Sequence, residues 1–77
     1  LTKEDGLIDL NDEPKKNYNK FRAYVSWPRT FFFKNGKRII ITDAELIDNT
    51  FVIKKVLPEG KKEIKYEDFQ KLVNLAG

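Results

Sequence analysis

Asn35-Gly36, set between the apolar runs Thr30 to Lys34 and Lys37 to Thr42, constrains this chain more than any other pair of residues. A two-residue hairpin turn of the I′ type needs positive φ at both central positions, and Asn-Gly meets that need best. The turn also sets the register. Lys34 then faces Lys37, Phe33 faces Arg38, Phe32 faces Ile39 and Phe31 faces Ile40. Beyond its tip such a hairpin is apolar on both faces, so it predicts cover on both sides, from a sheet or barrel interior and from a helix.

Other segments arrange themselves around it. Lys3 to Gly6 reads as a turn and Leu7 to Leu10 as a short strand. Asn11-Asp12-Glu13-Pro14 is a helix start, with a polar cap, acid in the first turn and an early proline. Tyr18, Phe21 and Val25 continue at helical spacing, and Pro28 ends the helix before Trp27. The second hairpin strand extends through Ala44 to Ile47, turns at Asp48-Asn49 and returns from Phe51 to Leu57, with Asp43 opposite Lys54 and Leu46 opposite Phe51. Pro58-Glu59-Gly60 makes another turn, Lys61 to Lys65 a short strand, and Phe69, Leu72, Val73 and Ala76 one face of a closing helix whose first turn carries Glu67 and Asp68. The class is mainly β, an antiparallel meander with two flanking helices.

Composition removes several chemistries. The 77 residues include no cysteine and no histidine, which excludes disulfides, thiolate metal sites and histidine-based nucleophilic catalysis. No carboxylate pair has a distinctive setting and no glycine-rich phosphate loop exists, so no catalytic and no metal-binding residue is assigned. No apolar run reaches the roughly 20 residues of a membrane helix. The chain lacks methionine altogether and begins with Leu1, which predicts a piece of a longer protein.

The net charge of +3 conceals segregation: residues 1–13 are net −4, and residues 14–38 carry eight cations and no acid. A contiguous basic block is the footprint of a polyanion partner; a merely solvated lysine-rich surface has the same composition. Within it Lys34, Lys37 and Arg38 cluster at the hairpin tip, and Arg22 and Arg29 lie near the helix-to-hairpin junction. Further on, Lys61 and Lys62 follow the Pro58 turn, with Lys54 and Lys55 on the strand beside them. These nine are the candidate binding residues. Point charges without base-reading side chains suit phosphate-backbone contact. Trp27 is expected to be a structural anchor in the core, with a base-stacking platform as the alternative; Phe31, Phe32 and Phe33 carry the same two readings.

Several short motifs, in order, resemble one family. Lys3-Glu4-Asp5-Gly6 with Ile8-Asp9 is similar to the K-E-D-G-x-I-D segment that follows the catalytic domain of methionyl-tRNA formyltransferases. Phe21-Arg22-Ala23 with Trp27-Pro28 resembles that family's helix-to-barrel junction, and Asn35-Gly36-Lys37-Arg38-Ile39 its first hairpin. Pro58-Glu59-Gly60-Lys61-Lys62 with Asp68-Phe69 resembles its C-terminal signature. Four places depart from the pattern. Arg29 stands where glycine is usual, Ile64 replaces a methionine, Lys65 replaces a capping serine, and Asp48-Asn49 replaces a longer insertion that supplies extra strands.

The resemblance implies a linker and short strand over residues 1–13 and a C-terminal domain over 14–77, an OB-like antiparallel barrel, small and reduced or incompletely closed. It implies a cytoplasmic parent enzyme that formylates the methionine of initiator methionyl-tRNA with 10-formyltetrahydrofolate. In that parent the catalytic asparagine, histidine and aspartate belong to an N-terminal Rossmann-like domain not contained in this chain, so this chain is expected to be non-catalytic and to bind no cofactor. Its partners would be that domain and the tRNA phosphate backbone, with no membrane. Two alternatives stay open: the equivalent domain of a formyltransferase acting on an amino sugar or folate, and a free-standing OB-like nucleic-acid-binding module.

Overall fold

The computed structural model describes residues 2–76. After a single 3-10 turn at Lys3–Gly6, the elements are α1 (Pro14–Ala23), β1 (Thr30–Lys34), β2 (Lys37–Ile47), β3 (Thr50–Pro58), β4 (Ile64–Lys65) and α2 (Tyr66–Ala76). Asn35 at φ 53° and Gly36 at φ 77° make the expected turn, and the β1–β2 register is the one the turn dictates. Asp48 and Asn49, at φ 48° and 60°, turn β2 into β3 in the same way, with Leu46 opposite Phe51. At the third turn Lys61 N–H donates to the Pro58 carbonyl at 3.0 Å. The strands lie side by side in chain order, β1-β2-β3-β4, all antiparallel, and the sheet does not close on itself among the described residues. The architecture is mainly β with two flanking helices, an incompletely closed barrel in outline.

Both helices pack on one face of the sheet, where Phe21 of α1 and Phe69 of α2 meet Ile8, Phe32, Ile39, Ile41, Ala44 and Val56 in one core. Burial pushes the Tyr66 phenol, at the edge of this core, above its ordinary value. Asn17 in α1 is buried, and its side-chain amide donates to the Asp9 carbonyl at 2.9 Å, which ties the helix to the N-terminal segment.

Several expectations are corrected. The Leu7–Leu10 strand shrinks to one parallel bridge between Leu7 and Phe31, with Ile8 N–H donating to the Phe31 carbonyl at 2.8 Å. Asp9 then turns the chain away: its carboxylate accepts from Asn11 N–H at 2.9 Å and its carbonyl from Asp12 N–H at 3.0 Å. Asp12 and Glu13 stand ahead of α1 rather than in its first turn. The Glu13 N–H and then Lys16, 3.1 Å away, hold the Asp12 carboxyl below its usual range. Val25 lies beyond the end of α1 and is exposed. Asp43 faces Lys55 instead of Lys54, because the β2–β3 register is irregular between Ile41 and Ala44. The strand expected over Lys61 to Lys65 pairs only at Ile64 and Lys65. In α2, Phe69 is buried but Leu72 is 60% exposed, and the Ala76 side chain lies outside what the structure describes.

The expected cover on both faces of the hairpin is met only in part, because the Lys3–Gly6 turn reaches Phe31 but not Phe33. The face opposite the helices carries Phe31, buried, and Phe33, 55% exposed. Trp27 is not a core anchor: it is 56% exposed, on the stretch between the end of α1 and β1. Its burial therefore contributes little. Trp27→Ala is expected to cost about 1 kcal/mol or less in urea denaturation, against about 3–5 kcal/mol for a buried aromatic. A loss in that higher range would show that the indole is a core group after all.

Candidate functional site

Four of the nine candidate cations come together. The hairpin tip supplies Lys34 and Lys37, and the segment after the Pro58 turn supplies Lys61 and Lys62; all four line one groove of about 610 Å³. Backbone pairing explains why residues so far apart in the chain meet. Ile39 of β2 lies opposite Pro58 of β3, and Glu59 N–H donates to the Arg38 carbonyl at 3.0 Å. The third turn is thus fastened beside the tip of the hairpin. Between the lysines the groove is apolar, floored by Ile39, Pro58, Ile64, Phe69, Leu72 and Val73. The exposure of Leu72 is accounted for here: it faces the groove rather than the sheet core. Glu59 is the one acid at the rim.

The other five are dispersed. Arg38 belongs to the opposite face of the sheet, as strand alternation requires, and sets its guanidinium 4.4 Å from the centroid of the Phe31 ring. Lys54 and Lys55 share a shallow depression with Asp43, Glu45, Lys65 and Glu67, and Lys54 sits 3.9 Å from the Glu45 carboxylate. Their charge is largely matched locally. Arg22 lies on α1 with its guanidinium 5.8 Å from the Tyr18 ring centroid. Arg29 lies near Glu63, Val25 and Leu57 in another depression. Its φ of 73° is left-handed, which gives a physical reason for the glycine that the resembled pattern carries at this position.

Sequence reasoning missed the apolar floor and Lys65. Lys65 is opposite Lys55 in the β3–β4 pairing, which no local motif announces. Among the described residues no three acidic side chains are grouped to hold a metal ion, and no helix is long and apolar enough to cross a membrane.

The geometry is that of a small open sheet with one lysine-rimmed groove, and comparison with known proteins agrees with the motif pattern. A model of the formyl transferase C-terminal domain matches residues 1–52. The chain belongs to the formyl transferase C-terminal domain family. Similar relatives include the methionyl-tRNA formyltransferase of Treponema denticola, 43% identical over 49 residues, which are 64% of this chain and 15% of the relative. That of Campylobacter lari is 47% identical over 49 residues, again 64% and 15%. That of Geobacter sulfurreducens is 31% identical over 64 residues, 83% of this chain and 20% of the relative. This formyl transferase domain therefore spans a fifth or less of the length of those relatives. The family match ends just after the Asp48-Asn49 turn, so β3, β4 and α2, which bring Lys61 and Lys62 to the groove, lie almost wholly beyond it.

Proposed function

We propose that this chain is the tRNA-holding domain of a methionyl-tRNA formyltransferase, gripping the phosphate backbone with the lysines of the groove. The observation that carries the reading is the convergence of Lys34, Lys37, Lys61 and Lys62 from two separate turns onto one rim. Lys54, by contrast, is matched by an acid in its own sheet. Flexible ammonium groups around a concave surface hold phosphates as point charges and read no base edge, which suits a partner recognised by shape.

In this reading a catalytic domain outside the chain would transfer the formyl group from 10-formyltetrahydrofolate to initiator methionyl-tRNA in the cytoplasm. The present residues do not fit the folate. A pteridine ring calls for buried hydrogen-bonding groups, whereas every polar side chain lining the groove is exposed and its floor is aliphatic and aromatic. No step of the transfer is assigned to them.

Salt dependence tests the reading. Neutralising about four phosphates should give log K against log salt a slope of roughly −3 for tRNA binding by the 77-residue chain. Replacing Lys34, Lys37, Lys61 and Lys62 together by glutamine should flatten that slope nearly to zero and weaken different tRNAs alike. Lys54→Gln, at a position already matched by Glu45, should change it little. Binding indifferent to salt, or a slope unchanged in the fourfold variant, would overturn the assignment.

A further inference from the structure

The face of the sheet turned away from the helices holds a second group of side chains. Phe31 and Phe33 stand two residues apart on β1, and their rings meet edge to face, centroids 5.6 Å apart at 86°. Arg38, opposite Phe33 in the register, leans diagonally across the strand pair to lie over Phe31. Among the described residues this guanidinium has no carboxylate partner. Phe31 is buried beneath it, while Phe33 stays 55% exposed. An exposed ring braced by a second ring has little freedom left to lose on binding, and a flat, weakly hydrated cation beside it favours an electron-rich, anionic partner.

Lys34 and Lys37 adjoin this group in the chain but point to the other side of the hairpin, because successive side chains alternate. The hairpin tip thus carries ammonium groups on one side and an aromatic surface with a guanidinium on the other. A nucleic-acid strand that crosses the edge strand β1 at this tip, with its phosphates on the lysines of one side, can turn a base toward Phe33 on the other. A duplex buries its bases in its own stack and presents only phosphates there; an unpaired nucleotide has a free π-face to offer.

We propose that Phe33, backed by Phe31 and Arg38, is a stacking site for an unpaired nucleobase of the bound RNA. The proposal rests on the backbone-holding role given above and adds to it a preference for single-stranded nucleotides, without selection among the bases.

Two probes test it on the 77-residue chain: a short single-stranded RNA carrying 2-aminopurine and a blunt RNA duplex. Binding of the single strand should quench the 2-aminopurine fluorescence. Phe33→Ala should abolish the quench and weaken the single strand about tenfold, leaving duplex affinity within about twofold. Phe33→Tyr should behave as the parent on both probes, which separates loss of the ring from loss of the fold. Single-strand affinity and quench unchanged in Phe33→Ala overturn the stacking site while the lysine-held backbone reading stands. An equal loss on both probes also overturns it, because a base stack cannot act on a closed duplex. If the parent chain binds neither RNA, both readings fall.

Discussion

Phe32→Ala is expected to leave this domain at the margin of stability, with a loss of about 3–5 kcal/mol. Phe32 is 5% exposed and sits in the core between the two helices, its ring edge-on to Tyr66 at 6.4 Å and 88°. Tyr66 in turn stacks on Phe69 of α2, with centroids 6.1 Å apart at 20°. Truncation therefore opens a cavity that borders the partners holding α2 to the sheet, and a two-residue β4 offers little else to hold that helix. A chain of 77 residues has a total stability of about 4–12 kcal/mol at ordinary values per residue, so the variant should lose much of its denaturation baseline. Urea titration followed by far-UV circular dichroism measures it. A midpoint close to that of the parent would place Phe32 outside the cooperative core.

Gly6→Ala is expected to cost about 2–3 kcal/mol by overpacking. An added methyl at Gly6 would overlap the backbone carbonyl oxygen of Arg29 and touch the Phe31 ring. Backbone faces backbone here, so no side chain can rotate aside. Relief requires the Lys3–Gly6 turn to lift from the sheet, which strains the adjacent hydrogen bond from Ile8 N–H to the Phe31 carbonyl. Thermal melting reports the loss directly. An undisturbed transition would mean that the turn is not seated on β1.

The parts legible in the sequence are those governed by neighbours in the chain. The Asn35-Gly36 turn needs left-handed backbone at both positions, and that requirement alone dictates every pairing from Lys34–Lys37 down to Phe31–Ile40. The Asp48-Asn49 turn places Leu46 opposite Phe51 by the same logic. Trp27 and Leu72 failed because their surroundings are tertiary. Hydrophobicity marks each as a core residue, but Trp27 lies on a connection that faces outward, and Leu72 turns toward the groove. The cations were legible as a list and not as a site. That Arg38 parts company with Lys37 follows from strand alternation. That Lys37 joins Lys61 and Lys62 depends on the Glu59–Arg38 hydrogen bond, which no local pattern signals.

Because spatial order in the sheet equals chain order, each strand docks on the one synthesised just before it. During translation the β1–β2 hairpin can close as soon as Ile41 has emerged, β3 can zip onto β2 without waiting for a distant partner, and only α2 must arrive before the apolar face is covered. Loop-closure entropy is met in small steps, the circumstance under which β-rich chains fold quickly. The interval of risk is accordingly short and late: it falls between the pairing of β3 with β2 and the seating of Phe69, when the part of the apolar face that α2 covers is still open to solvent.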